Sequence, residues 1–145
     1  MPLPIPARLL PFLNRPPVWW LAVFAWAAFL FAYCTFITSP SNGPEIPHID
    51  KLFHFTYYAP GAACAAIALA LNRNAFTTRV TVTTILLFTL LGTLDEFYQS
   101  FYPHRSGNDL GDLTADVLGA IAGTLAAKTI FPSLKPKRPS PINAP

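Results

Sequence analysis

The chain alternates between long apolar stretches and short polar connections. Positions 18–38 and 55–71 contain no charged residue. The stretch at about 80–99 is apolar apart from two acids near its end. The stretch at about 109–130 is apolar apart from three acids in its first half and a single lysine near its end. A helix rises 1.5 Å per residue, so about 20 residues cross the roughly 30 Å of hydrocarbon in a bilayer. The pattern predicts four membrane-spanning helices, at about 18–38, 51–71, 80–99 and 109–130.

The composition agrees with a membrane protein. Of the 145 residues, 52% are hydrophobic and 12% are charged, whereas a soluble domain has about 25% charged residues. We therefore expect an all-α, polytopic four-helix bundle over 18–131. It is preceded by a Pro-rich segment at 1–17 and followed by a basic, Pro-rich and disordered tail at 132–145. The basic residues do not cluster with aromatics on a polar surface, so no nucleic-acid partner is expected.

The basic residues are unevenly distributed between the two sides of this predicted bundle. Eight of the ten fall on the side of the termini, and the exceptions are Lys51 and Arg105. Cytoplasmic loops of membrane proteins carry an excess of Lys and Arg. The sequence thus predicts a multi-pass membrane protein with both termini in the cytoplasm. All seven acids then lie at the opposite end.

Several of these acids are spaced to share a helix face. Asp112 lies three residues after Asp109 and four before Asp116, which places the three on one face. The same face continues into Gly119 and Gly123, a small-residue pattern that is typical of close helix packing in membranes. Carboxylates inside a membrane segment are costly and usually face the bundle interior. We therefore expect the polar face of this helix to point inwards.

The outward ends of the last three helices are expected to form one polar pocket. Asp50 and Asp109 are predicted helix N-caps, and His54 is expected to be oriented by Asp50 or by an acid from another helix. Arg105 is expected to form a fork with one or two carboxylates. The predicted pocket residues are Asp50, Lys51, His54, Asp95, Glu96, Gln99, Arg105, Asp109, Asp112 and Asp116.

Three motifs in these helices resemble the VanZ-like family, which is named for a protein linked to teicoplanin (glycopeptide) resistance. The resemblance covers about 46–127. It implies a small protein of the bacterial cytoplasmic (inner) membrane that contacts cell-envelope lipids or antibiotics, with site residues Asp50, Lys51, His54, Glu96, Gln99, Arg105 and Asp112. The sequence departs from the family pattern at Asp116, where Asn is expected, and at His104, where Gly is common. The motifs are Asp50-Lys51-x-x-His54-Phe55, Gly92-x-x-x-Glu96-x-x-Gln99-x-Phe101-x-Pro103-x-Arg105-Ser106 and Asp112-x-x-Ala115-x-x-x-Gly119-x-x-x-Gly123.

Three functions remain open at this point. The pocket would bind a lipid headgroup or a lipid-linked envelope precursor, with Lys51 and Arg105 on phosphate and the carboxylates on amines or hydroxyls. Alternatively, His54 as base and Glu96 as acid or nucleophile would act in a lipid hydrolase or transferase, with a divalent metal as a variant. The third function is a structural bundle or assembly subunit. No known catalytic signature is present. No cofactor is predicted apart from that divalent metal. Association of two chains through 18–38 stays open.

Overall fold

A computed structural model describes residues 5–36, 48–102 and 107–135, and these residues form helices without any strand. The helices are α1 (Leu10–Leu13), α2 (Pro16–Phe36), α3 (Ile49–Asn72), α4 (Thr78–Gln99) and α5 (Leu110–Leu134). The last four are long and apolar enough to cross a membrane. The prediction of an all-α, multi-pass membrane protein with a four-helix bundle is confirmed.

The four long helices run antiparallel to their neighbours in sequence. At one end of the bundle, Lys135 Nζ donates to the carbonyl oxygen of Asn74 at 2.7 Å, which places the end of α5 beside the α3–α4 turn. We call this the basic end. At the other end, the hydroxyls of Thr35 in α2 and Tyr98 in α4 lie 3.3 Å apart. This polar end contains the start of α3, the end of α4 and the start of α5.

Helix α5 extends further than the sequence predicts. It ends at Leu134 rather than near 130 and includes Pro132, which removes one backbone donor and usually disrupts a helix. Phe131 and Leu134 are nevertheless buried, and they pack against Val80 and Ala127. Burial of these two side chains offsets the missing hydrogen bond and retains the last turn. Residues 136–145 of the predicted tail lie outside the described residues.

The prediction that Asp50 is the N-cap of its helix is wrong. Helix α3 begins two residues before its predicted start at 51, at Ile49, so the cap position falls on His48. That residue has a φ of 62° and forms no capping hydrogen bond through its side chain. Asp50 lies in the first turn, where a negative charge interacts favourably with the positive end of the helix dipole. Its side chain is thereby available to a neighbouring lysine.

Helices α3 and α5 approach each other at backbone contact distance. A Cβ atom placed on Gly123 would lie 1.9 Å from the carbonyl oxygen of Ala59, and one on Gly119 would lie 2.5 Å from that of Phe55. Only glycine fits at either position, because no flexible side chain is available to move aside. The predicted small-residue face is therefore the contact between these helices, and it fixes the alignment of α5 along α3.

Helix α2 packs against α3 through aromatic residues, among which Trp26 is central. The indole nitrogen of Trp26 donates to the carbonyl oxygen of Tyr57 at 2.6 Å, and its ring lies over Gly61. The ring also contacts Phe88 of α4, with centroids 5.1 Å apart. Much of the remaining surface of α2 exposes large apolar side chains, including Leu21, Phe24 and Phe36. This surface is suited to contact with lipid.

The α3–α5 contact gives a first prediction. Gly123→Ala should lower the free energy of unfolding by at least about 2 kcal/mol, because the added methyl group meets backbone rather than side chain. Alanine favours helix formation over glycine by about 1 kcal/mol, so a loss would have to arise from packing. Reversible unfolding in mixed detergent micelles measures this change in the free energy of unfolding.

The control Ala126→Val adds volume at an exposed position of the same helix and should change stability by less than about 0.5 kcal/mol. Equal losses from the two variants would contradict the contact.

Candidate functional site

Lys51 lies among three carboxylates at the polar end. Its Nζ is 2.9 Å from Asp50 Oδ2, 3.0 Å from Asp109 Oδ2 and 3.0 Å from Asp112 Oδ1. An ammonium group has three N–H donors, so these contacts use all of them. Lys51 therefore joins the first turn of α3 to the first turn of α5 and is already neutralised by protein groups.

Asp109 is the N-cap of α5, as predicted. Its Oδ1 accepts from the backbone N–H of Gly111 at 2.6 Å, while its Oδ2 contacts Lys51. The hydrogen bond from Lys51, followed by that from Gly111, holds the pKa of the Asp109 carboxyl below its usual value. The carboxylate consequently stays charged well into the acidic range and continues to orient the start of α5.

His54 is oriented by an acid from another helix, which was one of the two predicted possibilities. Its Nδ1 lies 2.9 Å from Asp116 Oδ1 on α5. Asp50, the other predicted partner, instead contacts Lys51. The second ring nitrogen, Nε2, lies 3.9 Å from Asp112 Oδ2, which is too far for a hydrogen bond. The imidazole thus lies between two buried carboxylates and is bonded to one of them.

Glu96 connects the end of α4 to the start of α5. Its Oε2 accepts from the backbone N–H of Asp109 at 2.8 Å, and its backbone carbonyl accepts from the N–H of Asn108 at 3.3 Å. The side chain is only 3% exposed. Its other oxygen, Oε1, is buried and has no hydrogen-bond partner among the described residues. One carboxylate oxygen of Glu96 therefore holds the start of α5, and the other is available to bind a ligand.

The remaining predicted residues are at the edge of this cluster or outside the described chain. Gln99 Nε2 donates to Asp95 Oδ2 at 3.0 Å, so these two residues of α4 pair within their own helix. Arg105 and His104 lie outside the described residues, as does Glu45. The predicted fork of Arg105 on carboxylates stays a prediction.

The sequence analysis did not identify Gly111 as part of the site. A Cβ atom there would lie 2.5 Å from Cε of Lys51, so the glycine leaves room for the lysine between α3 and α5. Its position two residues after the predicted helix cap Asp109 is a signal in the sequence that it lies close to the site. The requirement for glycine follows from the position of Lys51, which a sequence pattern does not contain.

Side-chain exposure decreases from the outside of the site to its interior. It is 49% for Asp50, 36% for Asp109 and 28% for Lys51, then 14% for His54 and 3% for Asp112. Asp116 is fully buried, and its Oδ2 has no hydrogen-bond partner in the described part of the chain. The site therefore has an outer layer accessible to solvent and an inner layer of His54, Glu96, Asp112 and Asp116.

No protein-family model, curated protein or solved structure matches this chain. The resemblance to the VanZ-like family therefore stays a prediction based on the three sequence motifs. Conclusions about the site depend on its geometry.

The arrangement around Lys51 gives a second prediction. Lys51→Met leaves Asp112 buried without its cation and should lower the free energy of unfolding by about 3 kcal/mol. The double variant Lys51→Met with Asp112→Asn should recover at least about 1 kcal/mol of that loss, because the uncompensated charge is gone. Denaturation of the four proteins in the same micelles measures this cycle. Strictly additive losses would show that Lys51 and Asp112 do not depend on each other.

Proposed function

We propose that this chain is a VanZ-like protein of the bacterial cytoplasmic membrane that binds the polar headgroup of a membrane lipid or of a lipid-linked envelope precursor. The supporting observation is the decrease in exposure from Asp50 to Asp116 along one continuous polar site. Charged side chains within membrane helices are rare, and they commonly mark binding sites. A headgroup entering from the interface would meet the outer carboxylates first.

The charges of the site favour a headgroup with hydrogen-bond donors. Lys51 already contacts three carboxylates, so it is not available to a phosphate, contrary to the sequence-based expectation. Asp50 and Asp109 are partly exposed and accept hydrogen bonds. Amine or hydroxyl groups, as in aminoalcohol or sugar headgroups, complement such an acidic surface. A phosphate in the same headgroup would need Arg105 or another cation.

The same proposal places the site on the outer side of the membrane. Arg73, Arg79, Lys128 and Lys135 lie at the basic end, and the positive-inside rule favours the cytoplasm for that end. The polar end then faces the cell envelope, where lipid-linked precursors and glycopeptide antibiotics are found. A link to the envelope response or to teicoplanin resistance is part of this proposal and follows from the family resemblance.

Orientation gives a third prediction. Single cysteines placed at Arg79 and at Asp50, in a variant in which Cys34 and Cys64 are replaced by Ala, should differ in labelling. A membrane-impermeant maleimide applied to intact spheroplasts should label position 50 and not position 79, and both should react after permeabilisation. Labelling of position 79 in intact spheroplasts would place the polar end in the cytoplasm.

Headgroup binding gives a fourth prediction. Native mass spectrometry of the protein released from nanodiscs that contain phosphatidylethanolamine, phosphatidylcholine and a glycolipid should show preferential retention of phosphatidylethanolamine or the glycolipid, whose headgroups carry N–H or O–H donors. Asp50→Asn with Asp109→Asn should reduce that retention about tenfold, corresponding to about 1.4 kcal/mol. Asparagine preserves the N-cap of α5, so the bundle should remain folded.

The matched control is Arg79→Gln, which changes charge by one unit at the exposed basic end. It should leave lipid retention unchanged. Retention that is equal for all three lipids, or that falls equally in the control, would contradict a headgroup site. Preferential retention of phosphatidylcholine, whose headgroup has no N–H or O–H donor, would contradict the proposed headgroup chemistry.

The pair of His54 and Asp116 favours a lipid hydrolase or transferase as a second candidate function. A carboxylate bonded to Nδ1 fixes the imidazole tautomer and leaves Nε2 to act as a base. Glu96 Oε1 is the nearby candidate acid or nucleophile. Release of a water-soluble headgroup from the retained lipid, lost in His54→Gln, would support this function over binding alone.

A further inference from the structure

The inner layer contains three potential metal ligands on three different helices. His54 of α3, Glu96 of α4 and Asp112 of α5 can each offer one atom, and these three atoms lie within 4.8 Å of one another. Bonds of 2.0–2.2 Å to a metal ion place neighbouring ligand atoms about 3–4 Å apart. The three side chains are thus close enough to share one ion after small rotations.

The orientation of His54 is suited to metal binding. Its Nδ1 is bonded to Asp116 Oδ1 at 2.9 Å. When Nδ1 carries the proton of a neutral imidazole, Nε2 presents its lone pair on the other side of the ring. A carboxylate bonded to the distal nitrogen is the usual arrangement behind a metal-binding histidine. Asp116 would then be a positioning residue for the ligand His54.

One of the three potential ligands, Glu96, has a buried acceptor that lacks a donor in the described part of the chain. Glu96 is 3% exposed, and its Oε1 has no hydrogen-bond partner among residues 5–36, 48–102 and 107–135. Asp112 Oδ2 lies 3.9 Å from Nε2, beyond hydrogen-bonding range. A buried oxygen without a partner costs free energy, and so does a pair of carboxylates placed close together. A cation between these groups removes both costs.

Lys51 does not supply that cation. Its ammonium is held between Asp50, Asp109 and Asp112, where it contacts Oδ1 of the last residue and leaves Oδ2 facing inwards. The acidic group formed by Asp50, Asp109 and Asp112 is therefore satisfied by lysine. In the described part of the chain, no further lysine or arginine forms an ion pair with the inner group.

We propose that His54, Glu96 and Asp112 bind one divalent transition-metal ion, with Zn²⁺ and Mn²⁺ as the best-matched ions. Two carboxylates neutralise a double positive charge, which suits a buried site. An imidazole ligand favours transition metals over Mg²⁺ and Ca²⁺, which prefer oxygen ligands alone. Three protein ligands leave at least one coordination position for water or for an oxygen of a bound headgroup. This proposal is independent of headgroup binding, because metal content is measured on the protein alone.

The test uses the full chain, purified without chelators from cells grown with added Zn²⁺ and Mn²⁺, and then dialysed. Inductively coupled plasma mass spectrometry should find about one ion per chain. Glu96→Gln, Asp112→Asn and His54→Gln should each reduce metal content at least about tenfold, since each removes a ligand. Asp116→Asn should retain the ion but weaken its affinity by about 10- to 100-fold, the range for residues that orient a ligand.

The control substitution is Asp95→Asn, which makes the same acid-to-amide change next to Glu96 in a residue that pairs with Gln99. It should retain the ion. Glu96→Gln is the preferred ligand variant, because the amide oxygen can still accept from the N–H of Asp109 and maintain the turn. For wild-type protein stripped with EDTA, adding back Zn²⁺ or Mn²⁺ should raise the melting temperature, and it should not do so for Glu96→Gln.

Two outcomes would overturn the proposal. The first is a wild-type protein that contains less than about 0.1 ion per chain and whose melting temperature does not change when either ion is added. A protonated His54 would then be the cation of the inner layer. The other is loss of metal from Asp95→Asn to the same extent as from Glu96→Gln. Metal binding without lipid retention would reject the headgroup proposal alone.

Discussion

The backbone contact between α3 and α5 determines the position of most charged groups in the site. Gly119 and Gly123 allow the two helices to touch at Phe55 and Ala59. With the helices aligned in this way, Asp116 and Asp112 lie beside His54 and Lys51, about one and two turns before Gly119 on the same face. A displacement of one residue would rotate both acids away from their partners by about 100°. Packing of small residues in the middle of the membrane is therefore the condition for the polar contacts at its edge.

The two layers of the site differ in how well their charges are satisfied. In the outer layer, one ammonium group contacts three carboxylates, and the partly exposed members can exchange partners with water. In the inner layer, Asp116 contacts the imidazole of His54, and two buried carboxylate oxygens, Glu96 Oε1 and Asp116 Oδ2, have no hydrogen-bond partner in the described part of the chain. Buried polar groups are normally paired. The unsatisfied inner layer is the physical basis for proposing a ligand.

Much of the fold could be predicted from the sequence, because it depends on local patterns. The apolar stretches, two of which (18–38 and 55–71) contain no charge, are sufficient to predict four helices. The helical spacing of Asp109, Asp112 and Asp116 is sufficient to predict an inward polar face. Local propensity also identified the cap at Asp109. It failed at Asp50, because the helix starts two residues earlier than predicted. It also failed at the end of α5, where the burial of Leu134 outweighed the local signals.

The partners within the site could not be predicted in the same way. Spacing along α3 brings Asp50 and His54 onto one face, but the structure pairs them with Lys51 and Asp116. The choice depends on the rotation of α5 against α3, which the glycine contacts determine. Similarly, nothing in the sequence indicates that Glu96 accepts from the backbone of Asp109, because the path of the α4–α5 turn decides it.

The central claim is that the inner polar groups serve a ligand rather than the stability of the bundle. The most direct measurement is the free energy of unfolding of His54→Leu with Asp116→Leu, compared with wild type in the absence of added metal and lipid. Replacing a buried charged pair by apolar residues of similar size is often neutral or stabilising. The account predicts a stability equal to or above that of wild type, together with loss of bound ligand. A loss of more than about 2 kcal/mol would show that these groups hold the helices together and would contradict it.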